Sequence, residues 1–210
     1  MMIRIKICGL TREEDITTVN RCLPEYIGFV FAESRRRVSP AQARLLKAKL
    51  DKRIKAVGVF VNEGIDPIAA LCDAGTIDLV QLHGDEGEDF LRELKQRVNC
   101  PVIKAVRVKN PEQVLAAQRL PCDLLLLDTY SDAQYGGGGL TFDHSLIPGL
   151  HKPFFLAGGL NLDNIEHAIR GSHPWGVDIS SGVESDGVKD EDKIRAIIAE
   201  VRKLSRGKDR

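Results

Sequence analysis

Residues 3–11 read Ile3-Arg4-Ile5-Lys6-Ile7-Cys8-Gly9-Leu10-Thr11, and the alternation within them decides the fold. Ile3, Ile5 and Ile7 form one apolar face, while Arg4, Lys6 and Cys8 form the other. This is the period of a β-strand whose two faces meet different surroundings. The run closes on Cys8-Gly9-Leu10-Thr11, where an open doubly wound sheet normally carries a G-x-G-x-x-G turn. Further short aliphatic or β-branched runs begin near Tyr26, Lys55, Leu79, Val102, Leu124, Phe154 and Gly176, at intervals of 22 to 30 residues. Most are separated by helically spaced segments opened by a cap signal: Thr11 with Glu14, Asp66-Pro67, Asn110-Pro111, Asn161 and Asp190.

A strand returned to the same sheet through a helix is parallel to the strand before it. Eight such units predict a compact α/β fold, a closed (β/α)8 TIM barrel, as a single domain over residues 1–205 with a tail fraying over 206–210. The one long non-repetitive stretch, Asp128 to Pro153, leaves room only for a reduced sixth helix. Its Gly136 to Gly139 read as a lid or a sharp turn.

Composition narrows the partners. The 210 residues carry 30 Lys plus Arg against 30 Asp plus Glu, which disfavours nucleic acid and the membrane surface, both of which draw on surplus cationic side chains. Any anion must therefore be held locally. The five cysteines are odd in number and show no C-x-x-C pair, so no metal site and no disulfide framework is expected. With no signal-peptide core and no apolar run of membrane-spanning length, the expected location is cytoplasmic.

If Ile3, Ile5 and Ile7 pack under the helices, Lys6 and Cys8 face the barrel axis, with Cys8 at the C-terminal mouth where barrel enzymes place their chemistry. The same parity turns inward Gln81 and His83 on strand four, Asp128 on strand six, and Asp178 with Ser180 on strand eight. Each also has a plainer reading. Cys8 can be a small buried hydrophobe, Asp128 a turn cap, His83 a hydrogen-bonded loop residue, and Lys6 half of an internal ion pair. The glycine turns Ala157-Gly158-Gly159-Leu160-Asn161 and Ser180-Ser181-Gly182 follow strands seven and eight, where barrels commonly bind phosphate through backbone N–H groups.

Several segments together resemble a known family. They are Lys6-Ile7-Cys8-Gly9-Leu10-Thr11, Gly28-Phe29-Val30-Phe31, Gly58-Val59-Phe60-Val61-Asn62, Val80-Gln81-Leu82-His83-Gly84, Leu127-Asp128-Thr129, Tyr135-Gly136-Gly137, Thr141-Phe142-Asp143, Gly158-Gly159-Leu160 and Val177-Asp178-Ile179-Ser180-Ser181-Gly182-Val183-Glu184. In order and nearly end to end, the chain resembles phosphoribosylanthranilate isomerase of tryptophan (aromatic amino-acid) biosynthesis. The resemblance implies a cofactor-free isomerase acting on a small phosphorylated substrate, as a monomer or homodimer. The reaction would be the Amadori rearrangement of N-(5-phosphoribosyl)anthranilate to 1-(o-carboxyphenylamino)-1-deoxyribulose 5-phosphate. Carried across by motif, Cys8 would be the general base and Asp128 the general acid. Arg36 would pair with the anthranilate carboxylate, although Arg35 and Arg37 flank it where the family usually has proline and an aromatic residue. His83 and Asp178 would contact substrate, and Gly158, Gly159, Ser180 and Ser181 would hold the phosphate. Two other readings compete: a histidine-pathway or dual-substrate sugar-phosphate isomerase, which usually places aspartate where Cys8 stands, and a non-catalytic sugar-phosphate-binding barrel.

Overall fold

The computed structural model describes residues 2–129 and 147–206. Eight parallel strands close on themselves in chain order: β1 (Arg4–Cys8), β2 (Tyr26–Val30), β3 (Lys55–Phe60), β4 (Leu79–Leu82), β5 (Val102–Val108), β6 (Leu124–Thr129), β7 (Phe154–Leu156) and β8 (Gly176–Ile179). The closing seam pairs β1 with β8, setting Lys6 beside Asp178. Seven helices are described: α1 (Glu13–Cys22), α2 (Pro40–Lys49), α3 (Ile65–Asp73), α4 (Glu88–Arg97), α5 (Pro111–Ala117), α6 (Ile165–Ser172) and α7 (Glu191–Arg206). A two-stranded hairpin, β9 (Glu184–Ser185) and β10 (Val188–Lys189), precedes α7. The segment expected to hold a reduced sixth helix, together with Gly136 to Gly139 and the Tyr135 and Thr141-Phe142-Asp143 motifs, falls largely or wholly outside the described residues.

Strand parity sorts the core into layers. Ile3, Ile5 and Ile7 lie under the helices with Ile194, Ile197, Ile198 and Val201 of α7, an i, i+3, i+4, i+7 stripe that faces the barrel. The barrel interior is a separate cluster that includes Val57, Leu79, Ile103, Leu124, Leu126 and Phe155. Along β6, Leu124 and Leu126 face inward while Leu125 and Leu127 join the outer layer, so Asp128 inherits the inward parity.

The helix starts correct three cap assignments. Helix α1 begins at Glu13, one turn-residue later than a Thr11 cap requires, because the Asp15 carboxylate accepts from the backbone N–H of both Thr11 and Arg12 at 3.0 Å. Asp66 lies inside the first turn of α3, behind Gly64. Asn161 caps a turn instead of the helix, accepting from the Asp163 N–H at 2.9 Å, and α6 starts after Asn164. Asn110 and Asp190 do cap, accepting from the N–H groups of Gln113 and Lys193. Helix α7 runs to Arg206, and buried Ser205 accepts from the N–H of Ile3 at 3.1 Å, tying the helix end to the first strand. Among the described residues no helix is long and apolar enough to cross a membrane.

Candidate active site

The C-terminal ends of the strands surround one cavity, and the nine residues to which the resemblance assigns a role line it: Cys8, Arg36, His83, Asp128, Gly158, Gly159, Asp178, Ser180 and Ser181. Their order around it follows the barrel. The glycine and serine turns rise from β7 and β8, Cys8 from β1, Arg36 from the loop after β2, His83 from just beyond β4, and Asp128 from β6. Val30, Ala32, Val59 and Val61 add an apolar wall over β2 and β3.

Below Cys8 lies fully buried Lys6, whose Nζ donates to both oxygens of Asp178 at 2.9 Å. The internal ion pair foreseen for Lys6 is therefore present, and its partner is another of the predicted site residues. Burial pushes the Cys8 thiol above its ordinary range, Lys6 pulls it the other way, and Asp178 pushes it up again. Burial wins, which favours the thiol over the thiolate. Gly28 sits level with Cys8 on β2, and a Cβ there would fall 2.6 Å from Cys8 Sγ and 3.2 Å from Lys6 Nζ. The missing side chain is the space in which thiol and ammonium meet. Gly28→Ala is expected to lower kcat about 10²-fold by displacing the sulfur, with circular dichroism checking the fold; unchanged turnover would refute that use of Gly28.

On the other side of the cavity His83 Nε2 lies 3.1 Å from Asp128 Oδ2, and Gln81 Nε2 lies 3.0 Å from His83 Nδ1. His83 is thus an immediate neighbour of the predicted acid, held from beneath by Gln81.

Three consecutive arginines separate cleanly. Arg36 lines the cavity, with its Nε and Nη2 donating to Glu184 Oε1 and Oε2 at 2.7 and 2.9 Å. Arg35 also reaches Glu184 but is over half exposed, and Arg37 turns outward to Glu33. Gly9, at φ +82°, admits Arg36: a Cβ there would lie 2.4 Å from Arg36 Cδ. Lys189 completes the cluster, donating to Glu184 Oε1 at 2.7 Å and to the Ser180 carbonyl at 2.9 Å. Burial opposes ionisation of Glu184, but the hydrogen bonds from Arg36 and Lys189 outweigh it and hold the carboxyl at about 2. Glu184 closes the last of the motifs quoted from the sequence but no role was read for it, and Lys189 was not singled out; Lys189 reaches Glu184 and Ser180 from the neighbouring strand of the hairpin, whereas Arg35 and Arg36 come to Glu184 from the loop after β2.

The phosphate-type turns interlock. Gly158 and Gly159 both have positive φ, at 90° and 61°, which favours glycine. Asn164 Nδ2 donates to the Gly159 carbonyl at 3.0 Å. A Cβ on Gly182 would fall 1.9 Å from the Leu160 carbonyl oxygen, so the loops after β7 and β8 touch backbone to backbone. The Ser180 hydroxyl donates to the Cys8 carbonyl at 3.1 Å and braces the strand that carries the thiol.

Comparison with known proteins agrees with this geometry. The family model described as N-(5'phosphoribosyl)anthranilate (PRA) isomerase matches residues 5–200. An N-(5'-phosphoribosyl)anthranilate isomerase from Endomicrobium trichonymphae is 50% identical over 203 residues, covering 97% of this chain and 100% of the relative. The phosphoribosyl anthranilate isomerase crystal structure from Thermotoga maritima superimposes with a TM-score of 0.84 at 37% identity, covering 98% of this chain and 100% of that one. A phosphoribosyl anthranilate isomerase in complex with reduced 1-(o-carboxyphenylamino)-1-deoxyribulose 5-phosphate matches with a TM-score of 0.79 at 34% identity, covering 98% and 100%. The sequence motifs, the closed barrel and the residues gathered at its mouth place this chain in the N-(5'-phosphoribosyl)anthranilate isomerase family.

Proposed function

We propose that the chain converts N-(5-phosphoribosyl)anthranilate to 1-(o-carboxyphenylamino)-1-deoxyribulose 5-phosphate, with Asp128 as general acid and Cys8 as general base. The observation that carries this is the division of one cavity into three parts: glycine and serine turns over β7 and β8, an apolar wall with Arg36 over β2 and β3, and Cys8 and Asp128 on strands between and beside them. Such a cavity suits a molecule with a phosphate at one end and an aromatic carboxylate at the other. The related protein solved with the reduced product is itself named for a ligand of that kind.

The chemistry follows from the placement. Asp128 gives a proton to the ribose ring oxygen, the C1–O bond breaks, and the nitrogen lone pair forms a protonated imine at C1. That cation acidifies the hydrogen on C2 and favours the thiolate of Cys8 at the same time. The thiolate takes the C2 proton, the C–H pair becomes the C1–C2 double bond, and the imine pair returns to nitrogen. Ketonisation at C2 with protonation of C1 gives the aminoketose.

Gly158, Gly159, Ser180 and Ser181 hold the phosphate through backbone N–H groups, and His83 and Asp178 line the ribose region. Arg36 meets the carboxylate in this reading, which is supported by its lining the cavity while Arg37 pairs outside it with Glu33. Arg36→Ala should raise KM about tenfold or more and Arg37→Ala should leave it within about twofold. Equal small effects on steady-state KM would remove Arg36 from this role. The activity itself is tested by the loss of N-(5-phosphoribosyl)anthranilate fluorescence on adding purified protein without metal or nucleotide.

A further inference from the structure

Gln81 is 1% exposed on β4, and its Nε2 lies 3.0 Å from His83 Nδ1. An imidazole that accepts at Nδ1 carries its proton on Nε2, and Nε2 is 3.1 Å from Asp128 Oδ2. This arrangement therefore suits an ionised Asp128, which accepts from the ring. Gln81 Oε1, in contrast, is buried with no hydrogen-bond partner among the described residues, so its amide pairs through one end alone.

Turning the amide over in place brings Oε1 against Nδ1. That pairs the oxygen with the ring, moves the amide NH2 to where the oxygen lay, and requires a proton on Nδ1. The pair then holds one proton more: either Asp128 is protonated and donates to Nε2, or the imidazolium faces the carboxylate. We propose that Gln81 is a positioning residue for the proton step, its amide nitrogen matching the His83–Asp128 pair without the extra proton and its oxygen matching the pair with it. One O–H or N–H bond forms on proton uptake, and one proton leaves when Asp128 delivers to the ring oxygen, after which the amide turns back. The proposal rests on Asp128 being the acid.

Other charged groups surround the pair. Arg107 lies in register with Asp128 on β5, and Lys104 is bound to Glu86, with Asp85 and Lys109 at the same edge. Cys8, Asp178, Arg36 and Glu33 face His83 across the main cavity. All of them remain in a Gln81 variant, so a difference from the parent reports the amide.

The test combines ¹⁵N spectra of histidine-labelled protein, with His83 assigned from a His83→Asn spectrum, and kcat against pH. In the parent, Nδ1 should gain its proton over the same pH range in which kcat rises from the alkaline side. Gln81→Met, which removes the acceptor, should move that limb down by about one pH unit and lower kcat about tenfold with KM within about twofold. Gln81→Glu, an acceptor alone, should move it up. An Nδ1 that stays unprotonated from about pH 5 to 10 in the parent would overturn the proposal, as would an unmoved limb in both variants. If Gln81→Met does not fold, the parent spectrum and Gln81→Glu decide. Failure of the catalytic reading shows separately, as absent turnover of N-(5-phosphoribosyl)anthranilate by the parent, and leaves the spectrum to judge the amide.

Discussion

Cys8→Ala and Asp128→Asn are each expected to lower kcat about 10²–10⁴-fold, the range a positioned general base or acid supplies, while binding of the reduced product remains measurable by calorimetry. The two losses have different causes. Cys8→Ala removes the proposed base at the end of β1, yet Lys6 keeps both of its contacts to Asp178. Asp128→Asn keeps the shape beside His83 and removes the carboxyl group proposed to deliver the proton. Because acid and base act in successive steps of one path, the double variant should fall little below the worse single variant. Full activity in either single variant would refute the assignment of roles.

Lys6→Met is expected to cost about 3–5 kcal/mol of stability, the usual result of breaking a buried ion pair from one side, read as a lower urea midpoint. Lys6 is fully buried and the Asp178 side chain is only 9% exposed, so the carboxylate would be left without its cation inside the barrel. Adding Asp178→Leu should recover most of that loss, since two apolar groups leave no buried charge behind. Activity should not recover with it, because Lys6 is also the cation that opposes the burial of the Cys8 thiol. A single Lys6→Met variant as stable as the parent would show that water reaches Asp178 and relieves the pair.

Legibility in the sequence followed the physics that acts locally. The eight strand starts read from aliphatic runs lie within a residue of those in the structure, because each strand separates a helix-covered face from the barrel axis and that contrast is written in alternate residues. The same parity placed Cys8, His83, Asp128 and Asp178 at one mouth. Helix starts were less legible: at α1 the capping carboxylate is Asp15, which reaches back over the first turn, and a Thr-x-x-Glu pattern matches the composition of a capping box without its geometry. The resemblance picked Arg36 from the three arginines by motif, while the residue types alone did not say which of them reaches the cavity. That depends on a left-handed Gly9 that makes room for Arg36 and on a Glu184 supplied from the far end of the chain.

The most direct measurement of the central claim follows N-(5-phosphoribosyl)anthranilate by fluorescence with purified protein and no metal or nucleotide, beside a parallel assay of the histidine-pathway aminoaldose. Complete loss of the anthranilate fluorophore with formation of the aminoketose is expected, together with little or no turnover of the second substrate, since β1 ends in Cys8 where an aspartate is usual for that reaction. A fluorophore that persists while the histidine-pathway substrate is consumed would contradict it, and so would binding of both without conversion of either.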